Sequence, residues 1–190
     1  MKKVYLVLTY TGTILSKIIK YYTKEEYAHV SIALDEDLEE MYSFGRLFPY
    51  IAFIGGFVHE RINEGTFKRF KNTQAKICTI EVTDEQYEKL RELIYTFKKN
   101  KGLYRFNTIG LAGVVLKKKI KRKNYFYCAE FVKYALEETG ITEDLPEIIR
   151  PQNFGEIKNI EICYKGRLKE YGLKKLQRLA QMNQASSIQI

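Results

Sequence analysis

The pattern of apolar and polar positions divides the chain into short alternating elements. Val4 to Thr9 is rich in β-branched and aromatic residues and stops at Thr11-Gly12-Thr13, a strand followed by a turn. Ile14 to Tyr22 then has helical spacing. Ile14, Leu15, Ile18 and Ile19 form its apolar stripe, predicted to pack on the sheet, while Lys17 and Lys20 face elsewhere. Ala28 to Leu34 and Leu38 to Phe44 are strand-like runs separated by Asp35-Glu36-Asp37, a hairpin candidate. Residues 45 to 75 hold Gly45, Pro49, Gly55, Gly56 and Gly65 among aromatics with no clean period, and predict loops with short strands.

The second half is more regular. Ala75 to Val82 predicts a strand, and Thr83 with Gln86 three residues on is a capping-box signature opening a helix through about Lys99. Tyr87, Leu90, Leu93, Ile94 and Phe97 supply its buried stripe. An apolar segment, Ile109 to Leu116, precedes the charge run KKKIKRK and the triplet Tyr125-Phe126-Tyr127. A helix is expected from Cys128 to about Thr139, buried through Ala129, Phe131, Val132, Ala135 and Leu136 and stopped by Gly140. Glu161 to Tyr164 is compatible with a last strand. From Leu168 the chain is basic and helical in pattern and then polar, with Gln184-Ala185-Ser186-Ser187 near a frayed end.

Mixed strands and helices over 190 residues, 45% of them hydrophobic, suit one domain with a real core, an α+β protein. The expected division is 1–167 for the domain and 168–190 for a basic to polar tail. Three scattered cysteines, Cys78, Cys128 and Cys163, resemble neither a disulfide framework nor a zinc site, which fits a reducing, cytoplasmic setting. No cleavage signature follows the first strand, and charged residues interrupt every apolar stretch, so a soluble chain is expected. The net charge of +9 widens the range of anionic partners without choosing among them.

The candidate chemistry centres on Cys128. At the first turn of a helix a thiol feels unpaired N–H groups and the positive end of the dipole, which favour thiolate. Activation needs a base, and the only histidines are His29 and His59. His29 opens the run Val30-Ser31-Ile32-Ala33-Leu34, where a sheet holds its ring in place, whereas His59 sits in the polar stretch Val58-His59-Glu60-Arg61. His59 with Glu60 lacks further ligands at metal spacing, so no metal site is assigned. Cys78 and Cys163 read as small buried strand residues.

Thr11-Gly12-Thr13, Tyr27-Ala28-His29-Val30-Ser31-Ile32 and Tyr127-Cys128-Ala129-Glu130-Phe131-Val132, in that order, resemble the circularly permuted papain-like amidases, relatives of the NlpC-type peptidases and of lecithin retinol acyltransferase-like enzymes. Arg150-Pro151-Gln152-Asn153-Phe154 looks like that family's segment after the cysteine helix, and the likeness ends near Gly155. The resemblance implies a permuted papain-like fold, a small antiparallel sheet packed against the helix that starts with the nucleophilic Cys128. It also implies cleavage of an amide or ester (peptide, cell-wall fragment or lipid) through a thioester, with His29 as base and then acid and no cofactor. The Cys128 N–H is the natural first oxyanion donor.

In that family a third polar residue on the strand after the histidine strand orients the imidazole. A three-residue loop, Asp35 to Asp37, pairs Leu34 with Leu38 and sets Ser43 opposite His29; another loop length favours Tyr42 or Glu40. Ser43 ranks first. Two other readings stand beside hydrolysis: acyl transfer by the same Cys–His pair, and a non-catalytic module on the same fold. The second would dock on anionic surfaces through Lys117, Lys118, Lys119, Lys121, Arg122 and Lys123, with no specific nucleic acid as partner.

Overall fold

A computed structural model describes residues 1–48, 51–116, 118–143 and 145–173, leaving aside the side chains of residues 51–53 and 115. Lys117, Pro49 and the tail beyond residue 173 lie outside the described residues. Within them the chain is α+β. Six antiparallel strands form one sheet in the order β4-β3-β2-β1-β5-β8. These are β1 (Lys2–Tyr10), β2 (His29–Ala33), β3 (Met41–Phe48), β4 (Ile51–Glu60), β5 (Gln74–Val82) and β8 (Glu161–Arg167). The two-residue strands β6 (Arg105–Phe106) and β7 (Tyr125–Phe126) pair separately and in parallel. The helices are α1 (Ile14–Thr23), α2 (Gly65–Arg69), α3 (Asp84–Lys99), α4 (Thr108–Val115) and α5 (Cys128–Glu138).

Strand alternation sorts the core into two clusters, one on each face of the sheet. Val4, Leu6 and Leu8 of β1 and Val30 and Ile32 of β2 join α3 and α5 through Leu90, Ile94, Phe131 and Val132. Tyr5 and Val7, one residue out of step, join Ala33, Met41, Ile77 and Leu168 on the other side. Leu168, at the expected start of the tail, is thus a core residue, and residues 168–173 are helical. Phe154, in the 3₁₀ turn Pro151–Gly155, is fully buried in the first cluster. The capping box of α3 is formed: Thr83 Oγ1 accepts from the Gln86 N–H at 3.1 Å, and Gln86 Oε1 accepts from the Thr83 N–H at 3.0 Å.

Three expectations fail, each for a local reason. Residues 45 to 60 are not mainly loop: β3 runs on to Phe48 and pairs with the ten-residue β4. Its period is hidden by glycines that the pairing needs. A Cβ on Gly55 would sit 2.7 Å from the Gly45 carbonyl oxygen and 2.9 Å from the Phe106 ring. The β2–β3 register is also shifted. The Leu34 N–H donates to the Glu40 carbonyl at 3.1 Å and Ile32 faces Tyr42, so the loop spans Asp35 to Glu39. Leu38 within it takes a positive φ of 55°. The third concerns α1. Its buried residue is Ser16, while Ile14 and Ile18 are 79% and 46% exposed.

Candidate active site

The first turn of α5 is fixed from several sides. Tyr127 has extended backbone, and its N–H donates to Glu130 Oε2 at 3.1 Å, which closes the helix start from within. The same carboxylate accepts from Asn107 Nδ2 at 3.1 Å, and Asn107 Oδ1 caps α4 by accepting from the Gly110 N–H at 3.0 Å. The Tyr127 hydroxyl donates to the Ile149 carbonyl at 2.9 Å. Burial raises the Glu130 carboxyl, against the downward pull of Asn107 and the Tyr127 N–H. Cys128 thus stands at N1 of an anchored helix, 5% exposed, and its N–H has no intrahelical acceptor.

His29 opens β2 opposite Thr9 of β1. Its Nε2 donates to Glu60 Oε1 at 3.1 Å, with Oε2 at 3.3 Å, and the Ser31 hydroxyl donates to Glu60 Oε2. The Cys128 thiol comes within hydrogen-bonding reach of the same ring. Burial favours the neutral ring, but the charge of Glu60, followed by the charge and close approach of Cys128, outweighs it and pushes His29 up to about 10. Burial likewise pushes Glu60 up, and the His29 charge with the hydrogen bonds of His29 and Ser31 brings it below its usual range. Both shifts favour the charged forms, imidazolium beside carboxylate, and the two side chains are 21% and 12% exposed.

The candidates for a third residue fall in different places. Continuing the observed register sets Ser43 across from Ser31 and Gly45 across from His29, so Ser43 does not face the imidazole. The Ser43 hydroxyl is fully buried and completes no hydrogen bond, but it lies beside Glu60. A Cβ on Gly45 would meet Glu60 Oε1 at 3.3 Å and Ser43 Oγ at 3.4 Å, and the hydroxyl adds to the downward pull on that carboxylate. Glu40 and Tyr42 contact each other, Tyr42 Oη donating to Glu40 Oε1 at 3.4 Å. Tyr42 also stacks on His59 at 4.7 Å, and His59 is an exposed residue bonded to the Glu39 carbonyl. The residue that holds the imidazole, Glu60, comes one strand further out, from the end of β4.

Cys128 and His29 share the wall of a cavity of about 80 Å³. Leu15, Ile19, Phe67, Phe106 and Leu111 supply apolar surface, and Thr11, Thr13 and Ser16 a polar edge. Arg46 enters the same space and donates through Nη2 to Thr13 Oγ1 at 2.9 Å; burial and the charge of Arg69 lower its pKa. The other thiols are placed differently. Cys78 is fully buried in β5, and burial raises its pKa. Cys163 is exposed, not buried as its strand pattern predicts, because β8 is an edge strand; its Sγ donates to the Ile77 carbonyl at 3.4 Å.

Among the described residues there is no group of three or more His, Cys, Asp or Glu side chains placed to hold a metal, and no helix is long and apolar enough to cross a membrane. No protein-family model and no curated protein matches this chain.

Proposed function

We propose that this protein is a thiol hydrolase of amide or ester bonds, built as a permuted papain-like domain in which the histidine strand precedes the cysteine helix. The observation that carries the reading is the buried His29–Glu60 pair on one wall of a cavity whose other wall presents Cys128 at a helix N-terminus. A buried, hydrogen-bonded ion pair is weak evidence for stability alone, whereas beside a thiol it orients and charges the ring that must exchange a proton with it.

In the acylation step Cys128 Sγ, its proton passed to His29, attacks the carbonyl carbon. A C–S bond forms and the carbonyl pair moves onto oxygen, where the Cys128 N–H donates to it. Collapse breaks the C–N or C–O bond, and His29 gives its proton to the departing amine or alkoxide. Water then attacks the thioester, His29 takes its proton, and collapse returns it to sulfur as the carboxylic acid leaves. Glu60 stays ionised throughout and keeps the His29 ring aimed at the reacting atoms, a positioning role.

The test is a p-nitrophenyl ester of a short acyl chain, followed by intact-protein and peptide mass spectrometry. A burst of p-nitrophenol stoichiometric with protein, and an acyl adduct on Cys128 that water removes, are the expected results. Release at the rate of Cys128→Ala, with no adduct, would remove the catalytic reading and leave a binding module on this fold.

A further inference from the structure

The three walls of the Cys128 cavity turn apolar side chains to solvent. On α1 the inner side is Leu15, Ser16 and Ile19, which line the cavity, and the outer side is Ile14, Ile18 and Tyr21, exposed by 79%, 46% and 68%. Those three follow the i, i+4, i+7 spacing of one helix face, so the stripe that normally seeks the core faces outward. Helix α4 repeats the arrangement: Leu111 lines the cavity while Ile109, Ala112 and Leu116 are exposed, again at the spacing of one face. Helices α1 and α4 touch each other. The third wall, Arg46 and Gly55, belongs to the β3–β4 hairpin, whose Leu47, Phe48 and Ile54 are about half exposed. Scattered exposed apolar residues need no explanation, but two stripes on contacting helices and a hairpin that line one cavity between them do.

Charge identifies what covers them. Helix α1 carries Lys17 and Lys20, with Lys24 at its C-terminal cap, and no Asp or Glu, whereas Lys2 and Lys3, at the other end of β1, pair with Glu88 and Glu81. Residues 93–129, which carry α4, contain ten Lys and Arg and no Asp or Glu. A second copy of the chain would bring the same positive charge against this face, and nucleic acid would leave the isoleucine stripes unused. An apolar stripe edged by lysines matches an anionic bilayer, with the side chains in the acyl boundary and the ammonium groups among the headgroups.

We propose that the face bearing the cavity docks on anionic lipid membranes through α1, α4 and the β3–β4 hairpin, so that the opening meets the bilayer surface. This goes beyond hydrolysis and does not require Cys128 to react. The experiment is co-sedimentation of the full chain with vesicles of phosphatidylcholine alone and of phosphatidylcholine with phosphatidylglycerol, for wild type, Ile14→Ser/Ile109→Ser and Cys128→Ala. Binding is expected to the anionic vesicles, weakened by salt, about tenfold or more weaker in the double variant, and unchanged in Cys128→Ala. The two isoleucines are exposed, so circular dichroism of the double variant should match wild type. Absence of binding to anionic vesicles, binding that ignores the isoleucine substitutions, or a wild-type dimer that buries this face in solution would each overturn the docking. Vesicle binding by a wild-type protein that shows no ester turnover above Cys128→Ala would instead count against the hydrolase reading alone.

Discussion

Helices α5 and α1 are written in similar code and end in opposite places. Each carries apolar residues at helical spacing, yet α5 buries Ala129, Phe131, Val132, Ala135 and Leu136 between the sheet and α3, whereas α1 buries Ser16 and leaves Ile14 and Ile18 in solvent. The difference teaches that a stripe reports amphipathicity and not what it faces. At α5 burial gives the rigid first turn on which Cys128 stands. At α1 the inward side sets Ser16 between Leu15 and Ile19 on the cavity, where Thr13 Oγ1 accepts from the Ser16 N–H at 3.2 Å and from Arg46, and Ile14 and Ile18 are turned outward.

Substitutions in the two helices break or sharpen that contrast. The largest effect belongs to Cys128→Ala on α5, which should reduce ester turnover on the order of 10⁴-fold or more, while denaturant unfolding shifts little. Next comes Phe131→Ala, which empties a fully buried ring site in the aromatic cluster with Phe44, Phe57 and Phe97; it should destabilise by about 3–5 kcal/mol in a urea titration.

Glu60→Gln keeps a hydrogen-bonding amide but removes the charge that holds His29 protonated, and should lower kcat/KM by about 10²-fold with KM little changed. Its stability difference from wild type should depend on pH. His29 is raised in the folded protein, so the stabilisation it brings is complete below its ordinary 6.5 and is lost as pH rises toward about 10. Glu60 is lowered, so its share is complete above its ordinary 4.5 and is lost as pH falls through its folded value. Denaturant curves of wild type and Glu60→Gln should therefore converge on the alkaline side; a gap that widens there would reverse the assignment. The smallest effect is Ile18→Ser on α1, expected within about 0.5 kcal/mol of wild type because its side chain is already half in water. A loss comparable to Phe131→Ala would mean that α1 is packed as tightly as α5.

Most elements were legible because their cues are local. The Thr83–Gln86 box, the stop at Gly140, where φ is +67°, and the alternation of β1 all lie within a few residues of what they specify. Glu60 was not, because its partner is 31 positions away and its strand contains Gly55 and Gly56, which carry no hydropathy signal. The β2–β3 register slipped for a related reason. Leu38 looked like the first strand residue, but it closes the loop with a left-handed backbone and is 1% exposed beneath it. The Cys128–His29 opposition was legible from residue context, whereas the direction of the α1 stripe depends on surfaces no single helix encodes.

Alkylation by iodoacetamide, mapped by mass spectrometry across pH, tests the central claim most directly, since exposed Cys163 and buried Cys78 serve as controls in the same molecule. Cys128 should label fastest despite its small exposure, and its rate should fall in His29→Ala and, to a lesser degree, in Glu60→Gln, with Cys163 unaffected. Labelling of Cys128 no faster than Cys163, and indifferent to His29→Ala, would contradict an activated cysteine–histidine pair.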